Sequence, residues 1–152
     1  MESLDLREKP ELLSERAFEK AVNLVLSGLS SSQFRNYFGE LRDIERQVEA
    51  KRMDWPSVRL RLHLLKARLA YGRRKNGGKV SKEFYDLFDW LLNIAETSYQ
   101  SFEEALLYIE AILAYFYPLE ELFDKIKKNK QILDKEKEFK KRAREEYMRG
   151  AK

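Results

Sequence analysis

Apolar residues recur every three or four positions along most of the chain, and no run alternates apolar and polar between turn residues. The pattern predicts helices and no sheet. A first helix is expected from Pro10 to Leu26, with Leu13, Ala17, Phe18, Ala21, Leu24 and Val25 on one side, broken by Gly28 and the serines Ser30 to Ser32. Ser30 and Gln33 stand in capping-box spacing before a second helix, whose stripe is Phe34, Tyr37, Phe38, Leu41, Ile44 and Val48. A third is expected to start at the N-cap Asp54, with Pro56 in its first turn, and to stop at Asn76-Gly77-Gly78. Ser81 caps a fourth, carrying Phe84, Leu87, Phe88, Leu91 and Ile94. Ser101 and Glu104 offer a capping box for a fifth, expected to end against Pro118.

Two of these helices are apolar on more than one side. In helix five Phe102, Ala105, Leu106, Ile109, Ile112, Leu113 and Phe116 spread over several faces, which predicts central burial or cover by a second subunit. In helix three Val58, Leu62, Leu65 and Leu69 share one face, while Leu60, Leu64, Ala67 and Tyr71 share a nearly opposite one, so packing is expected on both sides. Beyond Pro118 the apolar stripe narrows to Leu119, Leu122, Phe123 and Ile126, then Phe139, Ala143 and Tyr147. The expected architecture is all-α: a compact bundle of about five helices over residues 1–118 and a charged helical extension over 119–152. The surplus apolar surface on helix five and the start of the extension predicts a homodimer of the isolated protein, joined there.

Composition narrows the function classes. The 152 residues include no cysteine, which excludes disulfide scaffolds, zinc–thiolate sites and thiol enzymes. The longest apolar stretch, Ala105 to Leu119, contains Glu110 and falls short of the ~20 residues that cross a bilayer. A soluble, cytoplasmic protein with no membrane attachment is expected. His63 is the single histidine, and no Gly-rich phosphate loop, Gly-x-Ser-x-Gly or Glu-x-x-His pair occurs. These absences predict no enzymatic activity, no metal and no cofactor. Glu110, set in an apolar helix, is expected to pair with a buried Arg or Lys.

Charge changes the picture more than composition does. The net +4 of the chain conceals a segment, residues 51–79, with ten Lys and Arg against the single Asp54, followed by residues 80–118 with seven acidic residues against Lys82. A net +9 on 29 residues is a footprint for a polyanion or an acidic surface. On helix three the cations form two rows at intervals of seven: Arg59, Lys66 and Arg73 in one gap between the apolar faces, Arg61, Arg68 and Lys75 in the other. Rigid rows of cations suit the regular phosphates of a nucleic-acid backbone and need no base reading. The plain alternative is a solvated surface paired with the acidic 80–118 segment, and Arg73, Arg74 and Lys75 also complement the helix dipole. Arg35 lies off the stripe of helix two, where it can reach a phosphate. Helix two then turns acidic, with Glu40, Asp43, Glu45 and Glu49, which disfavours reading it as a DNA recognition helix.

Three stretches resemble, in order and rough spacing, the small all-helical Csm subunit of type III-A CRISPR effector complexes. Ser32-Gln33-Phe34-Arg35-Asn36-Tyr37-Phe38 is similar to that family's opening motif, Leu65-Lys66-Ala67-Arg68-Leu69-Ala70-Tyr71 with Arg73 and Arg74 to its middle one, and Ile109-Glu110-Ala111-Ile112-Leu113-Ala114-Tyr115 to its closing one. The resemblance implies a non-catalytic subunit in an antiviral ribonucleoprotein, stacked in several copies beside other Csm subunits and touching guide RNA and target RNA through the backbone. It implies RNA contact by Arg35, Lys66, Arg68, Arg73 and Arg74. With the cation rows, the expected RNA-binding set is Arg35, Arg59, Arg61, Lys66, Arg68, Arg73, Arg74 and Lys75. The competing expectation is a helical scaffold or adaptor whose basic helix docks an acidic protein surface.

Overall fold

The computed structural model describes residues 4–148 and contains six α-helices: α1 (Glu15–Leu26), α2 (Ser31–Glu49), α3 (Trp55–Gly72), α4 (Lys82–Ala95), α5 (Tyr99–Lys128) and α6 (Lys135–Tyr147). The all-α expectation is met. Most predicted starts are also found where a short polar side chain can accept a free backbone amide. Ser30 accepts from the Gln33 amide at 3.2 Å, Asp54 from Ser57 at 3.0 Å, and Ser81 from Phe84 at 3.2 Å.

Three local expectations are corrected. The first helix is split: Pro10–Leu13 forms a 3-10 turn, and Ser14, with φ −117° and ψ −83°, separates it from α1. The capping box proposed for Ser101 and Glu104 is not formed. Ser98 accepts the Ser101 amide at 3.0 Å instead, and Glu104 Oε2 accepts the backbone N–H of Leu6 at 3.0 Å, fastening the N-terminal segment onto α5. Nor does Pro118 end helix five, which continues to Lys128. A proline inside a helix costs about 3 kcal/mol, and burying each large apolar side chain returns roughly 1.5–3 kcal/mol. Phe116, Leu119 and Ile126, all fully buried around the proline, outweigh that cost.

The long α5 is the axis of the bundle, packing against α1, α2, α4 and α6. Aromatic rings knit the centre: Phe34 lies 5.2 Å from Phe84 and 5.4 Å from Phe116, and Phe84 stacks on Phe88 at 5.1 Å. The second half of α5 is covered by α6, which returns along the bundle after Asp134 caps it. Phe139 and Ala143 of α6 are fully buried, and the Phe139 ring sits 4.9 Å from Phe123. The apolar surplus expected on helix five is therefore largely met within the chain: Phe102, Leu106, Ile109, Ile112, Phe116, Leu119 and Ile126 are buried, while Leu122 and Phe123 are half-buried and Leu107 stays exposed. Glu110 meets Arg42 of α2, as expected of a carboxylate in an apolar helix, although the pair lies at the half-exposed edge of the core.

Helix α3 behaves differently. It packs on α4 and α2 through Val58, Leu62, Leu65 and Leu69, all buried. Among the described residues its second apolar face meets no other helix: Leu60 is 74% exposed, Leu64 58% and Tyr71 67%. The expected two-sided burial of helix three is thus corrected to one side, because among the described residues no further helix lies over it.

Candidate nucleic-acid interface

Both cation rows of α3 emerge along its seams with neighbouring helices, and each seam supplies partners. On the α4 side Arg59 lies 3.7 Å from Glu96, His63 also meets Glu96, Lys66 donates to Asn93, and Arg73 donates to the Val80 carbonyl at 2.9 Å. On the α2 side Arg61 lies 3.3 Å from Glu40 and 3.4 Å from Asp43, and Arg68 lies 2.9 Å from Glu40. The acidic residues of helix two, which would repel a phosphate backbone on their own, are therefore partly neutralised by α3. Burial opposes ionisation of Glu96, but the hydrogen bond from His63 and the charges of His63, Lys66 and Arg59 hold its carboxyl below the usual carboxylate range.

The cations at the end of α3 are less engaged. Arg74 donates to the Tyr71 carbonyl at 3.0 Å and lays its guanidinium 3.9 Å from the centre of the exposed Tyr71 ring. Lys75 and Lys79 are exposed and, among the described residues, form no ion pair. The chain then doubles back. Gly77 adopts φ +80°, and Val80 N–H closes the turn onto the Gly72 carbonyl at 3.1 Å. The approach is tight at Gly72, where a Cβ would stand 2.6 Å from Val80 Cγ2 and 2.7 Å from the Tyr37 hydroxyl oxygen.

This turn and the start of α2 flank a groove of about 550 Å³. Arg68, Arg74 and Lys79 border it, Tyr71 forms a wall, and Gln33 and Tyr37 of α2 line the opposite side. No carboxylate lines it. The Tyr37 hydroxyl donates to the Arg68 carbonyl at 3.3 Å. Burial pushes the Tyr37 phenol up, against the opposing pull of Arg68 and Arg74, so it stays neutral and keeps that proton.

Of the residues singled out in the sequence, the fold brings Arg68 and Arg74 together at the groove, with Lys75 following on the chain. Arg59, Lys66 and Arg73 lie along the α4 seam, and Arg61 along the α2 seam. Arg35 stands apart, two residues from Gln33 and so about 200° around α2; its guanidinium lies 6.0 Å over Tyr117 of α5. Sequence reasoning missed Lys79, Gln33, Tyr37 and Gly72. Lys79 falls within the basic segment and carried that signal. Tyr37 reads as core, which it also is, and nothing local marks Gln33 beyond its capping position.

Among the described residues no group of His, Asp or Glu is arranged to hold a metal ion, and no helix is long and apolar enough to cross a membrane. The sequence profile of one family, described as Csm2 Type III-A, matches residues 7–120. No curated protein and no solved structure matches the chain.

Proposed function

The chain belongs to the Csm2 Type III-A family, and as a subunit of a type III-A CRISPR Csm complex we propose that it is a non-catalytic element binding guide and target RNA without sequence preference. The observation that carries this reading is the concentration of unneutralised cations at one end of α3, where Arg74 and Lys79 border a groove lined by no carboxylate and Lys75 follows Arg74 on the chain. Phosphate contacts of this kind position a chain on nucleic acid and carry no sequence information. Arg68 belongs to the same contact, exchanging Glu40 for a phosphate. Arg59, Arg61, Lys66 and Arg73 form the flanks of the RNA path along α3, and Arg35 is a separate contact on another face.

Binding of a generic single-stranded RNA across a salt series tests the reading. Each phosphate contact contributes a slope of about −0.7 in log affinity against log salt, so three to four contacts give roughly −2 to −3. Arg68→Glu, Arg74→Glu and Lys79→Glu combined are expected to lower affinity at least tenfold, about 1.4 kcal/mol, and to flatten that slope. Absence of RNA affinity at low salt overturns it. The competing adaptor reading draws support from one observation, the open apolar face of Leu60 and Leu64, which an RNA backbone does not require.

Homodimerisation of the isolated chain is part of the proposal, with its contact reassigned to that open face. Leu60 and Leu64 lie about the middle of α3 and the free cations at its end, so two antiparallel copies of α3 can join while keeping their basic ends apart.

A further inference from the structure

A site that binds only phosphates needs cations and no walls. The groove at the end of α3 has walls, and one is an aromatic ring left 67% exposed on a helix surface. We propose that this groove receives a single unstacked nucleotide of single-stranded RNA, its base against Tyr71 and its flanking phosphates on Arg68, Arg74 and Lys79. The inference rests on the RNA-binding reading and deepens it by naming the form of RNA the groove selects.

Four features support it. The volume, about 550 Å³, falls in the roughly 300–1,000 Å³ range of small-molecule pockets, enough for one nucleotide. Arg74 holds its guanidinium 3.9 Å from the Tyr71 ring centre, making a two-layer planar platform of the kind on which bases of any identity stack. The platform is held from behind. The Arg74 guanidinium also donates to the Tyr71 carbonyl, and the Gly77–Gly78 turn packs so closely that a Cβ on Gly78 would stand 2.3 Å from the Arg74 carbonyl oxygen. Gln33, at the opposite side, brings an amide that both donates and accepts, suited to a base edge and indifferent to a phosphate row. Bases in a duplex are stacked on one another and cannot enter, whereas in a single strand they are splayed at low cost.

The experiment measures binding of the full chain to three RNAs of equal length: a single strand, the same strand with abasic positions throughout, and a blunt duplex. Tyr71→Ala is expected to lower affinity for the intact single strand at least fivefold while leaving abasic RNA and duplex within twofold. Tyr71→Phe, which keeps the ring, is expected to stay within twofold on all three. Tyr71 is largely exposed, so circular dichroism should report an unchanged helical fold in both variants. If Tyr71→Ala leaves single-strand affinity unchanged while the Arg68, Arg74 and Lys79 charge reversal abolishes it, the nucleotide pocket is overturned and backbone binding stands. Equal losses on single strand, abasic strand and duplex also overturn the pocket. If the unaltered chain binds none of the three RNAs, backbone binding fails and the pocket with it. Preferential binding of a poly-glutamate peptide over RNA would identify the groove as a protein-docking surface instead, which likewise overturns the inference.

Discussion

Helices α3 and α5 have the same kind of sequence, apolar on more than one face, and opposite fates. The apolar arc of α5 is met by other elements, so Leu106, Phe102, Ile112 and Tyr108 are buried across about 160° of one helix. In α3 one face is buried equally well, and the other, Leu60, Leu64 and Tyr71, is open. The difference lies outside both helices. α5 is long enough to be lapped by α1, α2 and α4 and, near its end, by the returning α6, while α3 sits at the edge with partners on one side. Apolar residues on a helix say that something covers it; they do not say whether the cover belongs to the same chain.

The contrast is broken most directly in the cores of the two faces. Phe116→Ala is expected to destabilise the fold by about 3–5 kcal/mol, the usual cost of emptying a buried phenylalanine site, whereas Leu64→Ala should stay within about 0.5 kcal/mol. Denaturant unfolding monitored by circular dichroism measures both, and comparable losses would mean that α3 is covered within the monomer.

A smaller effect bears on what covers α3. At micromolar concentration sedimentation should give about twice the 18.2 kDa chain mass, and Leu60→Asp with Leu64→Asp should shift the protein toward monomer with its helix content kept. A mass near 18.2 kDa for the unaltered chain rules out the dimer. Substitution at Ile126 does not isolate this contact, because that side chain is fully buried in the core.

Smaller again is the competition along the α2 seam. Glu40 holds both Arg61 and Arg68 in half-exposed ion pairs, each worth at most about 1 kcal/mol. Glu40→Gln should therefore leave stability nearly unchanged and raise RNA affinity roughly twofold to fivefold at low salt, within that same energy. A fall in RNA affinity would show that Glu40 positions the arginines rather than competing for them.

The α4 seam supplies the smallest effect, a pH dependence. The Glu96 carboxyl titrates lower in the fold than the ordinary value of 4.5, so the unfolded chain binds its proton more readily. The associated stability is present above pH 4.5 and is lost as pH falls through the lower folded value. Thermal melting of Glu96→Gln against the unaltered chain should show a gap of less than about 1 kcal/mol at neutral pH that closes in acid. A gap constant with pH would assign the role of Glu96 to packing.

Much of the fold was legible along the chain because its causes are local. Helical spacing of apolar residues marked the buried stripes, and Ser30, Asp54 and Ser81 marked helix starts, since a cap is formed between residues three apart. Arg59 with Lys66 and Arg61 with Arg68 were legible for the same reason, as periodicity on one helix, whereas Arg73 and Lys75 of the expected rows lie past its end at Gly72, short of the expected stop at Asn76. What the sequence could not specify were contacts between residues far apart in the chain. Ser101 and Glu104 had the spacing of a cap, but Glu104 answers to Leu6, 98 residues away, and Ser98 takes the cap. Pro118 has the local character of a helix end, and only the burial of Phe116, Leu119 and Ile126 by distant elements holds the helix through it. The groove is the sharpest case. Its cations lie within twelve residues of one another, but its walls require Gln33 and Tyr37 of α2 to meet Gly72 and Tyr71 of α3. Local sequence thus determined which helices form and where their charges lie, because those follow from backbone geometry and spacing. Tertiary packing alone decided which apolar face is core, which is open, and which cations are already answered by a carboxylate.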